Sequence, residues 1–261
     1  MPADDPREYR AAMTDRTALV LGGDAVRRFG ETSVIVFGLG GVGSWCAEAL
    51  VRTGIGHLTI VDHDVICAGN INRQAQATSR TIGKPKAGAL GARLAEINPH
   101  ARVNARAERF TAESAGEFGI GSYDYIIDAI DSVDDKIVLI ETAIGARKTI
   151  FSSMGAAART DPTRVRTARL GKTHGCPLAR TVRRRLKHAG VFADFICVYS
   201  DEPVAEAQHP DKKATLCEND AGRRKRINGS LVQVTAVFGF TLAGLVVSDV
   251  AGIPSNSRSR T

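Results

Sequence analysis

Short apolar runs alternate with amphipathic stretches through the first part of the chain. The runs are rich in Val and Ile, which is typical of buried strands, and the stretches between them repeat apolar residues at helical spacing. Predicted strands cover residues 33–37, 57–61, 101–107, 123–128 and 149–152, and predicted helices cover residues 44–52, 84–98 and 133–147. Strands that alternate with helices form a mostly parallel sheet, so the pattern predicts an α/β fold.

After residue 155 the alternation becomes less regular. A strand is predicted over 165–170, a basic helix over 177–188 and a strand over 195–199, whereas 208–228 is a polar, charged loop. We therefore divide the chain into an N-terminal helical segment (residues 1–30), a sheet domain (31–155) and a smaller basic C-terminal portion (156–261).

The segment 231–247 is apolar and contains seventeen residues without a charge. That length lies at the lower edge of a membrane span. Gln233, Thr235, Thr241 and two glycines weaken the case for a span, so we favour a buried core helix over a membrane span, and weak membrane association through this helix stays an alternative.

The charge is concentrated in the second half. The formal net charge is +7, and between Arg159 and Lys187 there are ten Lys or Arg and one acid, Asp161. A second block runs from Arg223 to Arg226. Such patches favour a polyanionic partner, with nucleic acid and a membrane surface as the two candidates.

The five cysteines are widely spaced, with no C-x-x-C pair, so no zinc site is expected. The first ten residues are charged and lack the apolar region of a secretory signal, which favours a cytoplasmic location. Cys46 and Cys197 lie in apolar patterns and are expected in the core. Cys176, beside Pro177 in the basic segment, is expected to be exposed.

A glycine motif follows the first predicted strand and opens a helix. Its glycines are Gly38, Gly40, Gly41 and Gly43. Glycines in this position let the backbone approach a phosphate, and the helix N-terminus supplies free N–H groups. Asp62 ends the next strand, where a carboxylate can accept a hydrogen bond from a ribose hydroxyl. The motif predicts a Rossmann-like nucleotide site without separating NAD from ATP.

The polar residues after the second strand favour a triphosphate. Two cations, Arg73 and Lys86, can neutralise phosphate oxygens, and a late acid, Asp131, can hold Mg²⁺. The remaining candidates of this nucleotide pattern are Asp64, Asn70 and Gln74. A dehydrogenase pattern does not require this set of charges, so NAD-dependent redox chemistry is disfavoured.

The blocks GLGGVGSW, DHDVICAGNINRQ, GKPKA and DAIDS resemble the ubiquitin-activating-type adenylating family over residues 16–155. The resemblance implies that Arg73 and Lys86 act in adenylation, that Asp131 binds Mg²⁺ and that Asp62 holds the ribose of ATP. It also implies a homodimer in which Arg16 reaches the neighbouring subunit's ATP. The family pattern has another arginine three residues earlier, where this chain has Met13.

Further features resemble the branch of this family that dehydrates threonylcarbamoyladenosine in tRNA. They are Trp45 after Ser44, the phrases RTGIG and DAIDSVDDK, the segments 161–173 and 177–187, and the VTAVFGF sequence near the C-terminus. The resemblance implies an ATP-dependent cyclisation through an acyl-adenylate and a tRNA that carries the modified adenosine. The basic segment would then bind tRNA through Arg180, Arg183, Arg184, Arg185 and Lys187.

The sequence leaves three alternatives open. One is an adenylyltransferase that activates the C-terminal Gly of a ubiquitin-like sulfur carrier, which the missing C-x-x-C pairs argue against. Another is a non-enzymatic nucleotide-binding or membrane-docked protein. The last is an NAD-dependent redox enzyme, which the charges of the nucleotide pattern disfavour. The sequence also leaves open whether a sulfur-relay protein or a cysteine desulfurase is a partner.

Overall fold

A computed structural model describes residues 5–192, 194–204 and 229–254. Seven strands form one sheet in the order β3-β2-β1-β4-β5-β7-β6, and every pair is parallel except β6 with β7. The strands are β1 (Ser33–Phe37), β2 (His57–Val61), β3 (Arg102–Arg106), β4 (Tyr125–Asp128), β5 (Thr149–Ser153), β6 (Val165–Arg169) and β7 (Ile196–Ser200). The α/β fold with a mostly parallel sheet is confirmed.

Helices cover both faces of this sheet. They are α1 (Pro6–Leu21), α2 (Gly23–Glu31), α3 (Gly43–Thr53), α4 (Lys86–Ile97), α5 (Val133–Gly145), α6 (Pro177–His188) and α7 (Val232–Ala251). Their boundaries follow ordinary capping chemistry: the Asp5 side chain accepts the Arg7 N–H at 2.7 Å before Pro6 opens α1, and Gly54 ends α3 in the left-handed conformation.

Alternate side chains along the strands face two separate hydrophobic cores, one on each side of the sheet. Val34 and Val36 of β1 face the cluster that includes residues of α3, α4 and α7, whereas Ile35 and Phe37 face the cluster that includes residues of α5 and α6. Both faces of the central strand are therefore buried, which explains why its sequence is apolar from Val34 to Phe37.

The strand order reverses direction between β1 and β4. At such a switch point the loops after the two strands diverge and leave a crevice outside the carboxyl ends of the strands. The glycine loop follows β1, and the Asp128–Asp131 segment follows β4, so both candidate regions meet at this crevice.

The apolar segment near the C-terminus is a core helix. Val234, Phe238 and Leu242 of α7 are buried against the cluster that also contains α3 residues. A Cβ at Gly239 would collide with the Val42 carbonyl oxygen, so this glycine permits close contact between the two helices. By length and composition α7 could cross a membrane, but half of its apolar window is buried within the protein.

The second half of the chain extends the sheet. Strands β6 and β7 continue it beyond β5, close to the predicted positions. Cys46 and Cys197 are buried as expected, but the expectation for Cys176 is wrong: its side chain is 2% exposed, because the residue before α6 packs into the core. The loop 208–228, with the Arg223–Arg226 block, lies outside the described residues.

Candidate functional site

The glycine loop between β1 and α3 packs tightly against the segment after β4. Gly38 has a φ of +85°, and a Cβ there would lie 2.6 Å from the Ala129 carbonyl oxygen. A Cβ at Gly43 would collide with the Gly38 carbonyl oxygen. By contrast, a Cβ at Gly40 would meet no atom within 4 Å. The loop is therefore closed on its inner side and open at Gly40, where a phosphate can approach the backbone.

Asp62 lies directly after β2 and is held by backbone donors. Its carboxylate accepts the Leu39 N–H at 2.6 Å and the Asp64 N–H at 2.9 Å. Burial raises the pKa of this carboxyl above that of an ordinary aspartate. The two hydrogen bonds fix the carboxylate beside the glycine loop, where its remaining lone pairs can accept ribose hydroxyls.

Lys86 and Asp64 form an ion pair at the edge of this crevice. The Lys86 Nζ lies 2.8 Å from Asp64 Oδ2, and Lys86 is buried at the start of α4. His63 Nε2 lies 3.3 Å from the other oxygen of the same carboxylate. The ligand atoms of Asp62, His63 and Asp64 are all within 4.8 Å of one another. Lys86 is thus a cation held in a fixed position close to the predicted ribose acceptor.

The segment containing Arg73 is organised by Asn70 and Trp45. The Asn70 side chain accepts the Cys67 N–H at 3.0 Å, and its backbone carbonyl accepts the Arg73 N–H at 3.1 Å. The Trp45 indole donates to the Arg73 carbonyl at 2.9 Å. The Arg73 guanidinium donates to Gly69 O at 2.9 Å. Its charged end is therefore held by the fold before any ligand binds.

Arg73 and Asp131 are close enough to interact electrostatically. Burial lowers the pKa of Arg73, and the Asp131 carboxylate acts in the opposite direction. Asp131 is exposed, whereas Gln74 is buried and its Oε1 has no hydrogen-bond partner among the described residues. The structure thus brings Arg73, an acid and a buried amide to one side of the crevice.

Lys136 is a buried cation that sequence reasoning missed. Its ammonium donates to Asp128 Oδ2 at 2.6 Å and to the Ser153 carbonyl at 3.0 Å, and Ser152 Oγ donates to the same carboxylate oxygen at 2.5 Å. The other Asp128 oxygen accepts the Ile130 N–H at 3.1 Å. This network fixes the turn that carries Asp131. The available signal was a lysine on the apolar face of α5, whose other buried members are Ile137, Leu139, Ile140 and Ala143.

Some cations of the basic helix α6 bind groups of the protein itself, and others are exposed without an ion pair among the described residues. Arg183 donates to the carbonyl oxygens of Leu170, at 3.1 Å, and Thr173, at 2.9 Å, so it serves the fold. Arg185 pairs with Asp134, three residues after Asp131. The three exposed Arg and Lys residues of α6 that form no ion pair within the described ranges are Arg180, Arg184 and Lys187.

Arg16 lies away from these groups on α1. It is exposed and makes no hydrogen bond or ion pair with any described residue. Leu19 and Val20, on the same half of the helix, are 76% and 80% exposed. The other half of α1 is anchored, because Arg10 donates to the carbonyl oxygens of Val26 and Gly54, each at 3.2 Å.

Comparison with known proteins gives a consistent result. Residues 14–260 match the model of the ThiF family. A tRNA threonylcarbamoyladenosine dehydratase of Bacillus subtilis (strain 168) is 36% identical over 236 residues, covering 90% of this chain and 93% of the relative. A crystal structure of E. coli tRNA N6-threonylcarbamoyladenosine dehydratase in complex with ATP superposes with a TM-score of 0.82 at 33% identity, covering 93% and 95% of the two chains.

A more distant relative matches only half of the chain. The sulfur carrier protein adenylyltransferase of Thermus thermophilus is 33% identical over 124 residues, covering 48% of this chain and 45% of the relative. The dehydratase matches extend through most of the chain, whereas this one does not.

Proposed function

The chain belongs to the ThiF family, and from that premise we propose that it catalyses the ATP-dependent dehydration of threonylcarbamoyladenosine in tRNA. The observation that carries the proposal is the crevice at the end of β1, β2 and β4, where an open glycine loop lies beside the fixed carboxylate of Asp62. The similarity to dehydratases, over 90% of this chain for the Bacillus subtilis relative, supports the choice of substrate.

ATP would lie across the switch point of the sheet. Gly38, Gly40, Gly41 and Gly43 would follow the phosphates, and Asp62 would accept the ribose hydroxyls. The supporting groups are Asp64, which holds Lys86, together with Asn70, which shapes the turn before Arg73, and the buried amide of Gln74.

The reaction requires a carboxylate to become a good electrophile. The threonyl carboxylate of the substrate attacks the α-phosphate of ATP, an acyl-adenylate forms and pyrophosphate leaves. A nitrogen or oxygen of the neighbouring urea then attacks the activated carbonyl carbon, the ring closes, AMP leaves and the urea loses a proton. The nucleophile is already in the same molecule, so the protein mainly aligns the two groups.

Arg73 and Lys86 would stabilise the negative charge that develops on the transferred phosphate. Both are held by hydrogen bonds before the nucleotide arrives, so little reorganisation is required during the reaction. Asp131 would hold Mg²⁺, because a carboxylate oxygen is a preferred ligand of that ion. Asp131 also interacts electrostatically with Arg73, the proposed phosphate-binding cation, and would therefore lie near the phosphates. The ion would neutralise charge on the phosphate oxygens.

The exposed half of α1 supports a homodimer. Leu19 and Val20 expose apolar surface next to Arg16, which makes no polar contact with the described part of its own chain. A second copy that covers these side chains would let Arg16 reach the nucleotide of its partner. We therefore propose that Arg16 acts across the subunit interface.

The basic face of α6 would bind the tRNA. Arg180, Arg184 and Lys187 are exposed, whereas Arg183 and Arg185, the other two cations expected to bind tRNA, contact backbone carbonyls and Asp134 in the free protein. Cations that neutralise phosphates supply most of the non-specific affinity of a protein for a nucleic acid. We place the enzyme in the cytoplasm with its tRNA substrate, and we assign α7 to the core rather than to a membrane.

Sulfur transfer has less support. Cys46, Cys176 and Cys197 are buried, so none of these three thiols is accessible to a sulfur-relay protein or a cysteine desulfurase. Zinc ligation by paired cysteines is not expected, since the sequence has no C-x-x-C pair.

Nucleoside mass spectrometry tests the proposal. The protein is incubated with Mg-ATP and tRNA that carries threonylcarbamoyladenosine, and we expect the modified nucleoside to lose the mass of one water only when ATP is present. An unchanged nucleoside would overturn the proposal. Pyrophosphate exchange that depends on a ubiquitin-like carrier ending in Gly-Gly would then favour the adenylyltransferase alternative.

A further inference from the structure

Phe192 has the most exposed large apolar side chain in the described part of the protein, with 96% of its surface accessible. The next phenyl ring in order of exposure there is Phe240, at 49%. This ring gains no stabilisation from burial among the described residues, so its whole surface is free to contact a partner.

The way α6 ends fixes the chain before Phe192. Gly190 has a φ of +72°, its N–H donates to the Lys187 carbonyl at 3.1 Å, and the Val191 N–H donates to the Leu186 carbonyl at 2.9 Å. These two bonds form a Schellman motif. Val191 packs against the core cluster that contains Leu186. The turn packs Val191 against the core and leaves the ring of the next residue in solvent.

Asp194 and Phe195 are anchored as well. Asp194 pairs with Arg169 at the end of β6, and Phe195 is buried with its carbonyl accepting the Leu170 N–H at 3.0 Å. Described residues on both sides of Phe192 are therefore anchored to the fold, which limits the backbone freedom to be lost when its ring binds a partner.

A basic stripe leads along α6 towards this ring. Arg180, Arg184, Lys187 and His188 follow the helical repeat at i, i+4, i+7 and i+8, so they share one face. All four are exposed. The opposite face of the helix carries its buried residues, Ala179, Val182 and Leu186.

We propose that Phe192 stacks on an unpaired base of the tRNA while Arg180, Arg184 and Lys187 bind its phosphates. The proposal rests on the proposed function for the choice of RNA. Proteins recognise single-stranded RNA loops by stacking splayed bases on aromatic side chains beside a positive surface, and the stripe with its terminal ring has both elements. The positive charge of the stripe favours RNA over an apolar protein surface.

The stacked base is not the one that reacts. Phe192 precedes the first residue of β7, Ile196, whereas the nucleotide crevice lies at the carboxyl ends of the strands. A five-residue strand separates the two levels by about 17 Å. Phe192 therefore contributes to tRNA binding rather than to the chemical step, so its loss should raise KM and leave kcat unchanged.

The salt dependence of tRNA binding distinguishes base stacking by Phe192 from phosphate binding by the basic side chains of α6. Binding of an unmodified tRNA transcript is measured by filter retention at several salt concentrations for the wild type, Phe192→Ala, Phe192→Leu, Phe192→Trp and Arg184→Ala. Ile253→Ala, which removes an exposed side chain beyond α7, is the matched control. Phe192→Ala should weaken binding by about tenfold at every salt concentration without changing the salt slope. Arg184→Ala should reduce that slope by about one.

The Trp and Leu substitutions at Phe192 distinguish base stacking from a general apolar contact. Phe192→Trp should retain wild-type affinity, and Phe192→Leu should bind as weakly as Phe192→Ala. Wild-type binding by Phe192→Ala would overturn the proposal, and full rescue by Leu would do the same, because it would indicate a general apolar contact. The proposed function is tested apart from this, by dehydration of modified tRNA by the wild type; its failure there leaves the binding measurement unaffected.

Discussion

The Lys136 ammonium lies 2.6 Å from a carboxylate oxygen of Asp128, and neither side chain has any exposed surface. The same carboxylate fixes the Ile130 N–H, one residue before Asp131. The pair therefore connects α5 to the turn that carries the proposed Mg²⁺ ligand. Because a buried charge without its partner is costly, the two residues depend on each other.

Replacing Lys136 by Met should destabilise the protein strongly. The substitution leaves the Asp128 carboxylate buried without a counter-charge, and the free energy of unfolding should fall by about 3–5 kcal/mol. Urea denaturation measures the change. Lys172→Met, at an exposed lysine, is the control and should unfold like the wild type. An unchanged midpoint for the Lys136 variant would contradict the role of this pair.

Replacing Asp131 by Asn should remove Mg²⁺-dependent adenylation. The amide keeps the size of the side chain but loses the charge that attracts the ion, so we expect kcat to fall by on the order of 100-fold or more. Pyrophosphate exchange driven by the substrate tRNA measures this step. The neighbouring Asp134→Asn, which removes only the pairing with Arg185, should leave exchange close to wild type. Normal exchange in the Asp131 variant would refute the assignment.

Arg16 should act on the nucleotide of the partner subunit. Arg16→Ala and Lys86→Ala should each be inactive as homodimers, whereas co-expression should restore about a quarter of wild-type activity, since half of the dimers are mixed and each mixed dimer has one complete site. Dehydration of modified tRNA provides the readout. Arg7→Ala, at an exposed arginine on the same helix, is the control and should be fully active. Failure of the mixture to recover any activity would place Arg16 within its own subunit's site or outside both.

Nucleotide affinity should depend on the protonation of Asp62. Burial raises the pKa of this carboxyl, so as the pH falls it gains a proton at a higher pH than an ordinary aspartate, whose value is 3.8. The protonated group is a weaker acceptor for ribose hydroxyls, and binding should weaken as the pH falls through the raised value. The free energy of unfolding of the nucleotide-free protein should depend on pH in the opposite direction. It should decrease as the pH rises through the same window, because burial disfavours the ionised carboxylate.

Calorimetric titration with ATP across this range checks the dependence. Asp62→Asn is the comparison, since it cannot titrate, and the ratio of the two dissociation constants cancels the titration of the phosphate groups. A ratio that stays constant with pH would exclude Asp62 as the ribose acceptor.

Much of the fold follows from local pattern. The strands ending at Phe37, Val61 and Asp128 are short, mainly apolar runs with a polar or glycine residue at or after their last position, so their carboxyl ends and the position of the crevice could be predicted. The glycine loop could be predicted equally well, because its spacing reflects a steric requirement. A Cβ at Gly38 would collide with Ala129, and a Cβ at Gly43 would collide with the Gly38 carbonyl.

Residues whose role depends on distant neighbours could not be predicted in this way. The position of Lys136 on the apolar face of α5 signals burial, but only tertiary packing identifies Asp128 and Ser153 as its partners. Cys176 precedes a strongly basic helix, and its burial depends on how the start of α6 packs into the core. The arginines of α6 are a further example, because the local pattern does not show which of them bind within the fold. The carbonyls that bind Arg183 belong to residues 170 and 173, outside the helix.

Trp45 gives this protein a built-in optical reporter. It is the single tryptophan of the chain, its indole donates to the Arg73 carbonyl at 2.9 Å, and its ring lies edge-on to Phe240 at 5.9 Å between centroids. Emission excited at the tryptophan band therefore comes from one position, directly attached to the segment that carries the proposed phosphate-binding arginine. Movement of that segment during nucleotide binding can be followed in real time in the unlabelled wild-type enzyme.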